Sequence, residues 1–245
     1  MEAVSETVNQ APVTRPMRTW PRKVGKGLLY GLLALLLVAG LAHVAYMYSG
    51  DSKWAFLTEQ KGVRVSSMKV PGSTLKKFRA VFRVKATLST IVMFMQDDES
   101  DLDVDFTNVK VLQYVNPQNK VSYFRSGFPK PIQDRDFSVR HTFVQDPLTR
   151  HIDYTLKAEP DMLPPEPCCI RVPRMDNTWR LTPLKNGEVE IDWVIDMDVG
   201  GLMPYFMINQ AHPEIMVDFG SSLQAIFNRP KYANAKLDWI VEPTP

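Results

Sequence analysis

Two carboxylates flank an arginine in the segment Asp134-Arg135-Asp136, a spacing that could support acid and base chemistry. In such chemistry one positioned carboxyl group donates a proton and another accepts one. The same residues also precede a predicted strand, where a turn with local salt bridges explains them without any reaction. We therefore interpret them first as a structural cluster and only second as a reaction centre.

Metal and redox chemistry find little support in the residue pattern. The four histidines are scattered and show no paired-ligand spacing, so we predict no zinc site: they are His43, His141, His151 and His212. Cys168 and Cys169 are adjacent, and neighbours in sequence form ordinary disulfide geometry only with strain. We expect these cysteines neither to join distant segments nor to identify the compartment, and we predict no metal and no cofactor.

Composition limits the class of protein. The chain has 245 residues, enough for one sizeable domain with appendages. Its 29 basic and 27 acidic residues leave a net charge of +2. Because so small a net charge creates no strong field, and no basic-aromatic signature is visible, we predict no nucleic-acid partner.

Residues 27–48 form an uncharged, apolar run long enough to cross a bilayer. A cluster of arginines and lysines precedes the run, so the positive-inside rule places the N-terminus in the cytoplasm and the remaining chain on the extracytoplasmic, periplasmic side. A secretory apolar region usually has only about 7 to 15 residues, which favours an uncleaved signal anchor. A poor cleavage site at residues 40–42 leaves a cleaved, secreted form as the alternative.

These signals divide the chain into five segments. They are a cytoplasmic basic tail (1–26), a transmembrane signal anchor (27–48), a linker (49–53), one globular domain (54–230) and a C-terminal tail (231–245).

Residues 189–199 predict a strand with one dry and one wet face, because the odd positions are all apolar and most even positions are acidic. Gly200 and Gly201 permit a sharp exit, and Pro204 suits the first turn of a helix. We predict a long helix over 204–228, kinked or split near Pro213. Its predicted apolar face comprises Ile215, Phe219, Leu223 and Ile226.

The rest of the domain reads as short helices and many strands joined by short turns, which indicates an antiparallel sheet in an α+β fold. Helices are predicted at 54–61 and 88–96, and the acidic run 97–105 is predicted to be solvated. Strands are predicted at 63–70, 75–85, 109–115, 121–127, 135–145, 152–158, around 170, and at 179–184. The stiff segment 159–167 contains four prolines, which cannot join a strand ladder.

Several segments, taken in order, resemble the START domain family of steroidogenic-acute-regulatory-related lipid-transfer proteins. The motifs are PKPIQDRDFSVR at 129–140, KVPGSTLKKFRA at 69–80, LPP at 163–165, RVPRMDNTWRLTPL at 171–184 and GGLMPYFMIN at 200–209. The chain looks like a membrane-anchored, bacterial-type member. The resemblance implies a helix-grip fold, in which a curved antiparallel sheet wraps a long C-terminal helix around a lipid cavity.

The resemblance implies a set of cavity residues. The candidates are Arg135, Phe137, Arg140, Tyr154, Trp193, Ile195, Met197, Met203, Phe206 and Met207. Strand alternation places Arg135 and Arg140 on opposite faces of the sheet unless a bulge lies between them. Arg140 is therefore either a cavity residue or a solvated arginine on the outer surface of its strand. Trp193 is either core or cavity wall, and the methionines are either cavity lining or gap-fillers.

The implied function is non-enzymatic. We expect the protein to bind a lipid or other hydrophobic molecule for transfer or presentation close to a membrane, with its N-terminal helix as the membrane contact. We expect Asp134, Gly200, Gly201 and Pro204 to form a hinge and gate. The alternatives are a polyketide-cyclase-like enzyme on the same fold and a ligand-free membrane-anchored scaffold.

Overall fold

The computed structural model describes residues 22–97 and 106–243, so most of the basic tail and residues 98–105 of the predicted acidic run lie outside the described residues. The chain divides into two compact units, Met1–Tyr46 and Met47–Pro245.

The first unit contains helix α1 (Arg22–Tyr48), whose last two residues belong to the second unit. Within α1, the apolar stretch Gly25–Tyr48 has 24 residues, and an 18-residue window of it has a mean hydropathy of 2.3 and no buried residue. It is the one helix of the described residues that is long and apolar enough to cross a membrane. A single-pass anchor and a signal sequence both fit this segment.

The second unit contains an eleven-stranded sheet within the described residues. Its strands are β1 (Trp54–Gln60), β2 (Val63–Lys69), β3 (Lys76–Val84), β4 (Phe106–Asn116), β5 (Asn119–Ser126), β6 (Asp134–Gln145), β7 (Ile152–Ala158), β8 (Cys169–Arg171), β9 (Arg174–Pro183), β10 (Val189–Ile195) and β11 (Met197–Asp198). The order is β1-β2-β3-β10-β9-β7-β6-β5-β4, with β11 on β9 and β8 on β6. All pairings are antiparallel except that of β6 with β8.

Among the described residues, three α-helices and one short 3-10 helix (Pro160–Met162) accompany the sheet. The α-helices are α2 (Leu88–Gln96), α3 (Tyr205–Phe227) and α4 (Pro230–Ala233). Helix α2 begins where predicted because Thr87 caps it, with its Oγ1 accepting from Thr90 N at 3.1 Å. Pro213 lies inside α3 without dividing it. The predicted curved antiparallel sheet and long C-terminal helix are therefore confirmed.

Helix α3 packs on one face of the sheet, here called the inner face. Its Gly220 permits this close approach, because a Cβ atom there would lie 3.1 Å from Val63 Cγ2 and 3.2 Å from Phe82 Cε1. The predicted apolar face of the helix is rotated: Leu223 and Ile226 are buried and Phe219 is half-buried, but Ile215 is 54% exposed. The buried residues are Met216, Val217, Gly220, Leu223, Ile226 and Phe227.

Three further expectations differ from the structure. Residues 54–61 were expected to be helical, but residues 54–60 form β1 and Lys61 lies in the turn, because pairing with β2 overrides the helix preference of Ala, Leu, Glu and Gln. The predicted strand at 189–199 is interrupted at Asp196, which separates β10 from β11. Cys168 and Cys169 form a disulfide with each other, although the sequence argued against one; being consecutive, they join no distant segments.

The packed domain extends beyond residue 230, where a tail was predicted to start. Tyr232 and Ile240 are buried in the core. Val241 exchanges two hydrogen bonds with the side chain of Gln145, at 2.9 and 2.8 Å. Glu242 accepts hydrogen bonds from Leu88 N and Ser89 N at the start of α2.

Candidate functional site

The inner face carries a row of aromatic rings across four strands. Opposite residues in an antiparallel ladder share a face, and Trp193, Trp179, Tyr154 and Phe143 follow one another in this way. Trp193 stacks on Trp179 with ring centroids 4.5 Å apart, and Phe219 of α3 lies 5.2 Å from Trp193. The face of β10 that carries its odd-numbered residues, which the alternation predicted to be shielded from water, thus lies beneath α3.

A second, smaller apolar cluster lies on the inner face towards the start of β6. It comprises Phe137, Val139 and Val172, with the half-buried Phe124, Leu156, Met175 and Met197 packed against it. Leu156 and Met197 also pack against the main core. Both face the interior yet remain partly accessible to solvent, so α3 leaves an accessible space over this part of the sheet. We call this space the cleft.

A buried polar cluster lies on the same face. His141 Nε2 is 2.6 Å from Ser122 Oγ, and His141 Nδ1 is 2.6 Å from the hydroxyl of Tyr154. Lys120 lies directly opposite His141 on β5, is only 8% exposed and donates to the carbonyl of Gln96 at 3.1 Å. We call Lys120, Ser122, His141 and Tyr154 the polar cluster.

Burial controls the protonation of His141 in this cluster. Desolvation, and to a smaller extent the nearby charge of Lys120, lowers the pKa of His141 from 6.5 to about 3. The imidazole is therefore neutral at neutral pH, so one ring nitrogen donates a hydrogen bond and the other accepts one. The hydroxyls of Ser122 and Tyr154 are thus held in a directional chain within an otherwise apolar wall.

Arg135 occupies the opposite end of the inner face, at the predicted hinge. It is 1% exposed, and its Nε and Nη2 donate to the carbonyls of Val199 and Gly200 at 3.1 and 2.9 Å. Its Nη1 donates to the carbonyl of Gln133, and the ring of Phe128 lies 4.9 Å from the guanidinium. Burial lowers the pKa of Arg135 against the opposing effect of Asp134. Arg135 thus connects β6 to the backbone that leads into α3.

The hinge itself requires glycine. Gly200 and Gly201 have φ of +66° and +71°, in the left-handed region that favours glycine. A Cβ atom at Gly201 would lie 2.6 Å from Ile170 Cδ1 and 3.2 Å from Arg135 Nη2.

Pro204 precedes the first helical residue of α3 instead of occupying its first turn. Asp134 accepts a hydrogen bond from Phe128 N at 3.1 Å, which closes the adjacent loop.

Arg140 lies on the outer face of β6, contrary to its prediction as a cavity residue. Alternation along β6 continues without a bulge, and Arg140 forms an ion pair with Glu159, with 2.9 Å from Nη2 to Oε2. Also on the outer face, Asp136 is fully buried and binds Arg171 through Oδ2 at 2.7 and 3.0 Å. The predicted interpretation of the Asp-Arg-Asp segment as a structural cluster fits these contacts.

The remaining predicted residues fall into two groups. Arg135, Phe137, Tyr154, Trp193, Ile195 and Met197 lie on the inner face or in its clusters. Phe206 and Met207 are exposed, Met203 is half-buried and Leu202 beside them is fully exposed, so these residues form an apolar tip at the start of α3.

Sequence reasoning missed the polar cluster. Of its members only Tyr154 was predicted as a cavity residue. Lys120 and Ser122 were not singled out, and His141 was considered only as one of four scattered histidines. The signal was present: in β6 the odd residues Arg135, Phe137, Val139, His141 and Phe143 share the inner face. Extending the alternation from Arg135 would have placed His141 beside the cleft.

Comparisons with known proteins agree with this architecture. The model of the START domain family matches residues 39–232. A STAR-related lipid transfer protein from Xanthomonas axonopodis is 25% identical, with a TM-score of 0.62 over 72% of this chain and 97% of that one. Human StAR-related lipid transfer protein 5 is 20% identical, with a TM-score of 0.60 over 80% of this chain and 97% of that one.

A sequence relative is also bacterial. An uncharacterised protein of Pseudomonas aeruginosa is 26% identical over 180 residues, which cover 71% of this chain and 88% of the relative. Since the family model covers well over half of the sequence, the chain belongs to the START domain family, whose fold implies a binding site for a hydrophobic ligand.

Proposed function

We propose that this protein holds one lipid or similar hydrophobic molecule in the cleft and exchanges or presents it at the membrane that its N-terminal helix spans. The observation that carries the proposal is the inner face. Two apolar clusters meet there at the half-buried Leu156 and Met197, and the polar cluster lies beside them. An apolar pocket with a few placed polar groups is the usual form of a small-molecule site.

The physical role of such a cleft is kinetic. Burying about 400 Å² of lipid tail is worth about 10 kcal/mol against water at about 25 cal/mol per Å². The same burial gains almost nothing against a bilayer, where the tail is already in an apolar phase. The cleft therefore lowers the barrier to exchange by shielding the tail, and selectivity comes from its shape and polar groups.

The hinge at Gly200 and Gly201 is the proposed gate. On the β3 side α3 is held by Asn209, which donates to the carbonyl of Thr74 and accepts from Lys76 N, both at 2.9 Å. Near its other end Gln224 accepts from Lys85 N at 2.7 Å. With α3 held along this side, opening the cleft requires movement of the hinge away from Arg135 and Ile170. The exposed apolar tip beside the hinge gives a lipid an apolar path to the cleft.

A non-enzymatic role is supported by the state of His141. A general base works best when its pKa lies near the working pH, whereas the pKa of His141 is about 3. Of the two carboxylates considered for acid and base chemistry, Asp136 lies on the outer face in its ion pair with Arg171, and Asp134 accepts a hydrogen bond from Phe128 N. These contacts favour a binding role over the cyclase-like alternative.

The proposed location follows from the charges that flank the apolar run. Basic residues precede it at Arg15, Arg18, Arg22, Lys23 and Lys26, which favours a cytoplasmic N-terminus and a domain on the extracytoplasmic, periplasmic side. A cleaved, secreted form is the alternative, and a protease-accessibility assay on intact spheroplasts separates them.

The test of binding is lipid copurification. The full chain is extracted in mild detergent and its bound lipids are quantified by mass spectrometry. Met197→Trp fills the cleft and is expected to reduce the bound lipid several-fold. Val144→Trp, at a 61% exposed position on the outer face of β6, is the matched control and should retain it. A folded wild-type protein without lipid, or equal loading of both variants, contradicts the proposal.

The gate is tested with a reversible disulfide cross-link between the hinge and the sheet. In a background of Cys168→Ser and Cys169→Ser, cysteines replace Ile170 and Gly201. Removal of Ile170 Cδ1 relieves the 2.6 Å contact that a Cβ atom at position 201 would make, and the reduced form of the same protein is the reference for the strain that φ of +71° imposes on a cysteine. Oxidation should block uptake of a fluorescent fatty-acyl lipid, and reduction of the same sample should restore it. Equal uptake by the oxidised and reduced forms means that the hinge is not the gate.

A further inference from the structure

Strand β1 exposes an unusual set of apolar side chains at the edge of the sheet. Within the described residues β1 pairs only with β2. Trp54, Phe56 and Leu57 are 36%, 56% and 41% exposed, and a bulge separates Phe56 from Thr58. Trp54 lies opposite Met68, which is half-buried on the same face. We call Trp54, Phe56 and Leu57 the β1 edge.

Cations lie over both aromatic rings of this edge. The guanidinium of Arg64 lies 5.3 Å from the ring of Phe56, and that of Arg79 lies 6.0 Å from the ring of Trp54. Arg79 is neutralised by Asp192, at 2.6 Å from Nη2 to Oδ2, whereas Arg64 forms no ion pair with any residue that the structure describes. Glu59 lies opposite Arg64 in the β1–β2 ladder but forms no ion pair with it. Exposed aromatic rings beside an arginine without an ion pair match the headgroup layer of a bilayer, where tryptophan concentrates and basic residues meet anionic lipids.

The residues before β1 are bound to the domain. Lys69 Nζ donates to the carbonyls of Met47 and Ser49 at 3.1 and 3.2 Å. The carbonyl of Met47 also accepts from Gly72 N at 2.9 Å. A Cβ atom at Gly50, where φ is +105°, would lie 2.3 Å from the carbonyl oxygen of Lys69. The linker therefore packs on the β2–β3 turn instead of acting as a loose tether.

Chain length limits how far the β1 edge lies from the membrane. At about 1.5 Å per residue the 24-residue stretch Gly25–Tyr48 is about 36 Å long, which exceeds the roughly 30 Å hydrocarbon core. Its end at Tyr48 then reaches the interface. From there to Trp54 even a fully extended chain spans only about 21 Å, and the observed linker is not extended.

We propose that the β1 edge is a membrane-docking surface that seats the domain in the headgroup layer of a bilayer containing anionic lipid. This inference rests on the proposed anchor but not on the contents of the cleft. The basic and aromatic pattern favours lipid over a second copy of the chain, because the bulge at Phe56 interrupts the edge that another strand would pair with. Seating fixes the domain beside the bilayer from which it draws its ligand.

The experiment is site-specific photo-cross-linking of the full chain in nanodiscs of phosphatidylcholine and phosphatidylglycerol. Benzoylphenylalanine replaces Phe56 in one variant and Leu57 in a second, so that a folding defect at one position leaves the other informative. The control places it at Leu148, which is 89% exposed in the turn between β6 and β7. Lipid adducts are quantified by mass spectrometry, and copurified lipid is measured on the same samples.

The expected result is a lipid adduct several-fold more abundant at 56 or 57 than at 148. Arg64→Gln should reduce the adduct in the mixed nanodiscs more than in phosphatidylcholine alone, and Lys69→Met should reduce it in both. Equal adducts at 56, 57 and 148, or cross-links to a second copy at the edge, overturn the proposal. Loss of copurified lipid with the adduct retained counts against the proposed cleft and leaves the docking surface intact.

Discussion

Protonation of His141 provides a direct test of the buried polar cluster. The folded protein holds the pKa of this imidazole at about 3, whereas its ordinary value is 6.5. Between these two values the unfolded chain binds more protons than the folded chain. The stability that the neutral imidazole supports is therefore present above pH 6.5 and is lost progressively as the pH falls towards 3.

The magnitude follows from the size of the shift. At pH 5 the unfolded imidazole is about 97% protonated and the folded one almost neutral, so unfolding is favoured by about 2 kcal/mol relative to pH 7. Near pH 3 the loss approaches about 4 to 5 kcal/mol. Other groups also titrate in this range, including His212, whose pKa burial lowers. A variant must isolate the contribution of His141.

The assay is urea unfolding of the full chain in mild detergent, followed by tryptophan fluorescence at pH 7 and pH 5. His141→Gln cannot titrate, so it should lose about 2 kcal/mol less than the wild type between the two pH values. Tyr154→Phe removes a hydrogen-bond partner but keeps the imidazole, and it should retain the wild-type pH dependence. If His141→Gln and the wild type lose equal stability, the imidazole is not buried and neutral as described.

Two further pairs of variants test packing by the same assay at pH 7. Asp136→Asn breaks the buried pair with Arg171 and should lower the free energy of unfolding by about 3 to 5 kcal/mol. Arg140→Gln breaks the part-exposed pair with Glu159 and should lower it by less than about 1 kcal/mol. Similar losses in the two variants would show that both pairs are solvated. Leu223→Ala removes a buried side chain and should lower the free energy of unfolding by about 2 to 5 kcal/mol. Ile215→Ala removes an exposed side chain and should change the same free energy by less than about 0.5 kcal/mol. A large cost at Ile215 would mean that the helix face is assigned wrongly.

The fold was largely predictable because its strands carry local patterns. Residues 189–199 alternate so regularly that the dry face of β10 followed from the sequence, and the boundaries of α2 and β7 agree with the expected ones. The failures were at positions without a strong pattern. Residues 54–61 contain good helix formers, and only pairing with β2 makes them a strand.

The candidate site was only partly predictable, because its members come from different strands. Alternation correctly sent Arg135 and Arg140 to opposite faces, but it did not show which face was inside. That choice depends on where α3 packs. The cluster of Lys120, Ser122 and His141 exists only because β5 and β6 pair in one register, and shifting a strand by one residue would turn its side chains to the other face.

The sequence by itself determined that the chain has one apolar helix, an antiparallel α+β domain and the ordered motifs of a START domain, because periodicity and chain order are local properties. Tertiary structure alone decided the rotation of α3, the outward position of Arg140 and the docking of the linker on Lys69. Gly220 illustrates the reason. It looks unremarkable in the sequence, yet its missing side chain lets α3 approach Val63 and Phe82 closely, so the helix buries Met216 and leaves Ile215 exposed.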